Sequence, residues 1–158
     1  MMVYLFLVLG IFFGDLWIKD AVEESETDRG GNVPDRGKVP RSLAGGRILI
    51  RRHHNRGAML NLGQKYPRAV AALSVALTVL MSVAFLCSLG QRGNKLLRTG
   101  LALLLGGAFS NTYDRLRRRY VVDYLTFRVG WRPLERVVFN LSDFAIMIGA
   151  MLTVLGAA

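Results

Sequence analysis

Residues 69–91, the stretch between Arg68 and Arg92, carry no charged side chain. A helix needs roughly 20 apolar residues to cross a bilayer core, so this run constrains the chain more than any other feature. Residues 1–14, 99–113 and 144–158 are also free of charge. Together these stretches predict four spans, at about 2–19, 69–90, 97–114 and 139–156. The fold class expected is an all-α membrane protein with four transmembrane helices in one integral membrane domain over residues 1–158. Composition fits only if its two extremes are segregated: 52% of residues are hydrophobic, yet the net charge is +10. Disorder, a collagen-like chain and a disulfide scaffold are excluded. The single cysteine, Cys87, can form no internal disulfide and reads as a small buried hydrophobe. The first span has no basic residues before it and no small-x-small site after it, which predicts a retained helix rather than a cleaved signal peptide.

Two hydrophilic stretches, about 20–68 and 115–138, separate the spans. The first opens with Glu23-Glu24-Ser25-Glu26-Thr27-Asp28 and has a middle containing Gly and Pro, a pattern expected of an exposed loop. Arg47–Arg51, after the Gly45-Gly46 turn, predicts a short strand, and Tyr120–Trp131 predicts extended chain with Gly130 at a turn. The two extended segments are candidates for a small sheet at one membrane face. Lys and Arg occupy ten positions in 20–68 and seven in 115–138, whereas only Arg92, Lys95 and Arg98 lie near the opposite side. Counted simply, that bias places the large loops in the cytoplasm.

Ionisable groups in or beside apolar spans are costly and so point to function. Asp15 and Lys19 are four apart and can pair on one helix face. Asn111, Asp114 and Arg115 share a face at the end of the third span, where Gly106 and Ser110 permit close helix packing. Asp114 with Arg115 reads as an orienting pair. Asp123 and Asp143 are 20 residues apart and meet only if the extended segment returns to the mouth of the fourth helix. Two facing carboxylates share a proton, so one can act as acid and the other as base toward a water and a leaving amine. Each has a plainer reading. Asp143 also suits the first turn of a helix, and Asp123 also suits a solvated loop paired with one of Arg117, Arg118 or Arg119. That arginine run reads as an anchor to anionic lipid, with no nucleic-acid partner. His53 and His54 have no Cys or carboxylate at ligand spacing, so no metal is expected. Neither a Gly-x-Ser-x-Gly elbow nor a Gly-rich phosphate loop occurs.

Taken in order, Asp15-x-x-x-Lys19, Asn55-Arg56-Gly57-Ala58, Gly106–Arg115, Val121-Val122-Asp123-Tyr124 and Phe139-Asn140-Leu141-Ser142-Asp143 resemble the lipoprotein signal peptidase (signal peptidase II) family across the whole chain. The resemblance implies a four-helix bundle with a small extracytoplasmic β-cradle and a short interfacial segment. It implies a multi-pass aspartic endopeptidase of the bacterial plasma membrane, active near the extracytoplasmic face. Such an enzyme cuts prolipoproteins just before a diacylglyceryl-modified cysteine. By motif position Asp123 and Asp143 form the catalytic pair. Asn55, Asn111, Arg115 and Asn140 line the site or hold the pair and substrate, Asp114 supports them, and Asp15 with Lys19 braces the first helix. No cofactor is implied; the partners are the lipid-modified substrate and membrane lipids, and a monomer is expected. The chain departs from the family pattern at Ser110 (usually Gly), at Ser142 (usually Ala), and at Arg56, Met59 and Leu60. Ser142 is placed to donate a hydrogen bond to the pair. Two rivals follow from the residues: a relative that binds lipid or lipopeptide without cutting it, and an ion-coupled bundle with a proton path through Asp15, Asp114 and Asp143.

Overall fold

In the computed structural model, which describes residues 1–27, 41–58, 62–90 and 94–158, the charge-free stretches are helices. They are α1 (Met2–Thr27), α2 (Pro67–Gly90), α3 (Lys95–Arg117) and α5 (Leu141–Ala157), with a single turn, α4 (Arg132–Glu135), ahead of the last. The hydrophilic stretches supply β1 (Arg41–Leu43), β2 (Ile48–Asn55) and β3 (Val121–Phe127), an antiparallel sheet in the order β1-β2-β3. The molecule is mostly helical with one small sheet.

Helix α1 outruns its apolar stretch by almost two turns, through residues expected to be loop. Acidic groups at a helix C-terminus oppose the dipole, so the extension needs outside support. It comes from the sheet and the residue that leads into β3: Glu23 accepts from Arg52 Nη1 at 3.2 Å and Tyr120 Oη at 3.3 Å, and its Oε1 lies 2.8 Å from His54 Nε2. The remaining middle of that loop and the 91–93 connection lie outside the described residues.

Helix α3 is central, packing against α1, α2 and α5. A buried apolar cluster of Val8, Phe85, Leu101, Ala102 and Leu105 joins α1, α2 and α3. Between α3 and α5 the contact is made by glycines. A Cβ on Gly149 would lie 2.5 Å from Leu104 N, and one on Gly107 would lie 2.5 Å from Ser142 O. Gly106 does the same toward α1, where an added Cβ would meet Val8 O at 2.9 Å.

The distribution of polarity is inverted relative to a water-soluble protein. Trp17 is 75% exposed while Lys19, two residues on, is wholly buried. α1 and α2 are each long and apolar enough to cross a membrane, and only 17% and 11% of their apolar windows are buried. They are therefore not the core helices of a soluble domain. α5, at 17 residues, is a shorter apolar helix. Cys87 departs from its expected burial: it is exposed on α2, because this helix turns most of its apolar surface outward.

Candidate active site

Asp123 is the third residue of β3 and Asp143 the third of α5. The chain brings them together through Phe139, whose backbone pairs with the free edge of β3. Phe139 N–H donates to Leu125 O at 2.8 Å, and its carbonyl accepts from Tyr124 and Leu125 at 2.8 and 2.7 Å. The extended segment thus does return to the mouth of the last helix. Asn140 caps that helix, its side chain accepting from Asp143 N at 2.9 Å while Asp143 Oδ2 accepts from Asn140 N at 3.0 Å. This reciprocal box fixes the Asp143 carboxylate, so the plainer first-turn role and a place in the cleft coexist.

Both carboxylates line a cleft of about 220 Å³ together with Asn55, Asn111 and Arg115. Asn140 Nδ2 donates to Asp123 Oδ1 at 2.8 Å, and Asn55 Nδ2 to Asp123 Oδ2 at 3.1 Å. Asn111 Nδ2 donates to Asp143 Oδ1 at 3.1 Å. Three amides therefore orient the pair without neutralising it. Asp123 is 3% exposed and pairs with none of Arg117, Arg118 or Arg119, against the solvated-loop reading. Burial, and next the Asp143 charge, push its carboxyl from 3.8 up to about 7; the Asn55 and Asn140 amides and the Lys19 charge pull the other way.

Behind the cleft lies a second polar layer in which Asp15, Lys19 and Asp114 are all wholly buried. Lys19 Nζ sits 2.7 Å from Asp15 Oδ2 and 2.9 Å from Asp114 Oδ2. It also donates to Ser110 Oγ at 3.0 Å and Asn111 Oδ1 at 2.9 Å. Asn111 Oδ1 accepts from Asn140 Nδ2 as well, at 3.2 Å, so one amide oxygen couples the ammonium to the carboxylate pair. A buried charge is tolerable only when fully paired in this way.

Two expected contacts fall elsewhere. Asp114 pairs with Lys19 and with Arg118 Nε at 3.2 Å rather than with Arg115, because Arg118 is four residues on and returns to the same face. Arg115 instead donates to the backbone carbonyls of Asn111 and Gly57, at 3.3 and 3.1 Å. Ser142 Oγ donates to Asp15 Oδ2, not to the pair, since its position on α5 faces α1 and α3. Ser110 Oγ donates to the same Asp15 oxygen at 2.7 Å. The departures at Ser110 and Ser142 therefore converge on one carboxylate. Met59 and Leu60 lie outside the described residues.

Tyr124 is a site residue that the apolar character of 120–131 conceals. Its hydroxyl donates to Asp15 Oδ1 at 2.9 Å and accepts from Leu141 N at 3.0 Å, tying β3 and α1 to the start of α5. Burial, and then the Asp15 charge, push its phenol up, so it remains a donor.

Fold and site together define a helical membrane protein with a carboxylate pair in a cleft beside a small sheet. The chain belongs to the signal peptidase II family: the family model "Signal peptidase (SPase) II" matches residues 7–158. Among curated relatives, the lipoprotein signal peptidase of Moorella thermoacetica is 38% identical over 99 residues, 63% of this chain and 61% of that protein. That of Alteromonas mediterranea is 38% identical over 104 residues, 65% of this chain and 56% of the relative. That of Paraburkholderia phymatum is 43% identical over 108 residues, 64% of this chain and 60% of the relative. The matched stretch thus spans less than two thirds of the length of these relatives. The fold is similar to a bacterial membrane enzyme solved by the in meso method at 2.3 Å resolution, with a TM-score of 0.78 at 17% identity, covering 99% of this chain and 88% of that one.

Proposed function

We propose that the chain is a membrane aspartic endopeptidase that removes the signal peptide from diacylglyceryl-modified prolipoproteins, cutting before the lipidated cysteine. The observation that carries this reading is the pair of carboxylates, Asp123 and Asp143, lining one cleft in a chain of the signal peptidase II family. The names of the curated relatives supply the substrate class.

In the reaction, the ionised member of the pair takes a proton from a water, whose oxygen adds to the scissile carbonyl carbon. The protonated member hydrogen-bonds the carbonyl oxygen and then delivers its proton to the leaving nitrogen. The C–N bond breaks, giving a carboxylic acid on the signal peptide and the free amine of the lipidated cysteine, and the acid then passes its proton to that amine or to water. The pair ends with one proton, as it began. Asn55, Asn111 and Asn140 keep the four carboxylate oxygens in register, and Arg115 walls the cleft. Apolar Val121, Ile146 and Met147 provide a surface for the signal peptide. Helices α1, α2, α3 and α5 all cross the plasma membrane, with the sheet and cleft at its outer face. A pure binder of lipopeptide has no use for two like charges held in one cleft, which argues against the non-cleaving reading.

The test is cleavage of a diacylglyceryl-modified precursor by the purified protein in detergent. Asp123→Asn and Asp143→Asn are each expected to lower kcat by at least about 100-fold while the protein melts as a folded species. Cleavage is expected to persist in excess chelator. Full processing by both variants overturns the assignment.

A further inference from the structure

Where α3 ends and α2 begins, five arginines meet around one hollow. Arg56, Arg68, Arg115, Arg118 and Arg119 line a hollow of about 490 Å³ with Pro67, Ala71 and Tyr120, and no Asp or Glu lines it among the described residues. Gathering like charges around one concavity is unfavourable unless an anion enters it. Their existing partners are few. Arg118 reaches Asp20 and Asp114 from the side, and the two terminal nitrogens of Arg115 are occupied by backbone carbonyls. Arg115 Nε and Arg118 Nη1 are buried donors without an acceptor among the described residues, a costly state for guanidinium N–H groups.

The backbone adds a second observation. Arg119 holds a φ of 71° just past the end of α3. Helices commonly close in this left-handed conformation, but with glycine, and an L side chain there is strained. The strain holds a guanidinium at the lip of the hollow where glycine would fit with less cost.

The geometry points to a binding site for the phosphate of an anionic phospholipid headgroup, separate from the peptidase cleft. Guanidinium forks match phosphate oxygens, and basic pockets between membrane helices bind anionic headgroups. The lipid source is favoured over a soluble phosphate by position. Pro67, Arg68 and Ala71 belong to the first turns of α2, the helix whose apolar window is only 11% buried. The same helix exposes Leu73 and Leu77 within its next turns, a surface for acyl chains. A phosphate in the hollow also meets the positive end of the α2 dipole. Arg115 lines both hollow and cleft, so the headgroup sits against a side chain that also walls the carboxylate pair.

Native mass spectrometry of the detergent-solubilised protein tests this, titrating phosphatidylglycerol against phosphatidylcholine of the same acyl chains. The intact protein is expected to prefer phosphatidylglycerol by about 10-fold or more and to melt at higher temperature when it is bound. In Arg56→Gln/Arg68→Gln/Arg119→Gly the preference is expected to fall to near unity. Arg119→Gly alone, which removes the charge while relieving the backbone, is expected to weaken the preference without lowering Tm, so loss of binding is separable from misfolding. Equal retention of the two lipids by the intact protein overturns the site, as does an undiminished preference in the triple variant. Equal protection by inorganic phosphate would make the hollow a plain oxyanion site. Displacement of the lipid by an equimolar soluble acidic peptide would make it a peptide dock, and either result overturns the lipid assignment. Binding is read without any cleavage, so its outcome leaves the peptidase reading untouched.

Discussion

At the scale of single residues, the proposed mechanism makes one proton on the carboxylate pair govern both stability and rate. The Asp123 carboxyl, ordinarily at 3.8, is raised to about 7, chiefly by burial. Between those values the folded protein holds a proton that the unfolded chain has released. The group's contribution to stability is therefore complete below about pH 4 and is lost as pH rises through about 7. The melting temperature in detergent is expected to fall between pH 5 and pH 8, and Asp123→Asn to flatten that slope. Catalysis needs one member protonated, so kcat/KM is expected to decline on the alkaline side with a limb near pH 7. A rate that stays level well into alkaline pH would contradict the shared proton. Asp143 stood out in sequence because an acid beside an apolar span demands explanation, whereas Asp123, in extended chain, was joined to it by the motif resemblance. The polar layer behind it was only half legible. Asp15–Lys19 is a local i,i+4 pair, but the donors that complete Asp15 come from 95, 109 and 127 residues away, at Ser110, Tyr124 and Ser142. No spacing rule reaches that far, and the hydroxyls of Ser and Tyr leave no mark on a hydropathy pattern.

At the scale of elements, the site depends on how closely α5 lies against α3. Gly107 sits on α3 opposite the turn that carries Asp143, and an added Cβ would stand 2.5 Å from Ser142 O and 2.9 Å from Ile146 Cγ1. Gly107→Ala must push the start of α5 outward, costing about 1–3 kcal/mol by overpacking and displacing one carboxylate from the other. A lower Tm is expected, with kcat reduced more than KM is raised. Gly14 on α1 is the control, since its added Cβ would meet nothing within 4 Å. Gly14→Ala should leave activity intact and, by removing a glycine from a helix interior, stabilise by up to about 1 kcal/mol. Wild-type melting and turnover in Gly107→Ala would refute this account of the helix contact. Charge-free runs located the four long helices to within a few residues, apart from the far end of α1, because an apolar helix leaves a long tract free of charge. The C-terminal extension of α1 was not readable, since it rests on Arg52 and His54 from the sheet and on Tyr120 just ahead of β3. Strand β1, only Arg41–Leu43, was not readable either; three residues cannot show alternation, and the strand exists by pairing with β2.

At the scale of the whole molecule, the outstanding physical question is which side of the membrane receives the sheet and cleft. The sheet, the hollow lined by arginines and the carboxylate pair all lie at the end where α1 and α3 finish and α2 and α5 start. The positive-inside tendency, applied to seventeen Lys and Arg in the two large loops, favours the cytoplasm. A peptidase acting on exported precursors requires the opposite face. Long segments translocate with little regard to their charge, and a hollow that captures anionic headgroups gives part of that charge a use on the outer surface. The chain has one native cysteine, so in a Cys87→Ser background single cysteines report topology directly. Ser42→Cys on β1 and Val129→Cys after β3 occupy exposed positions at the sheet end, and Ala158→Cys marks the far end of α5. A membrane-impermeant maleimide added to intact spheroplasts is expected to label positions 42 and 129, and to reach 158 only after permeabilisation. That pattern requires α5 to cross the membrane even though its 17 residues span only about 26 Å, a shortfall that tilting cannot mend but local thinning of the bilayer can. Labelling of 42 and 129 only after permeabilisation would place the carboxylate pair in the cytoplasm and remove the exported precursor as its substrate. Labelling of all three from outside would mean that α5 does not cross at all.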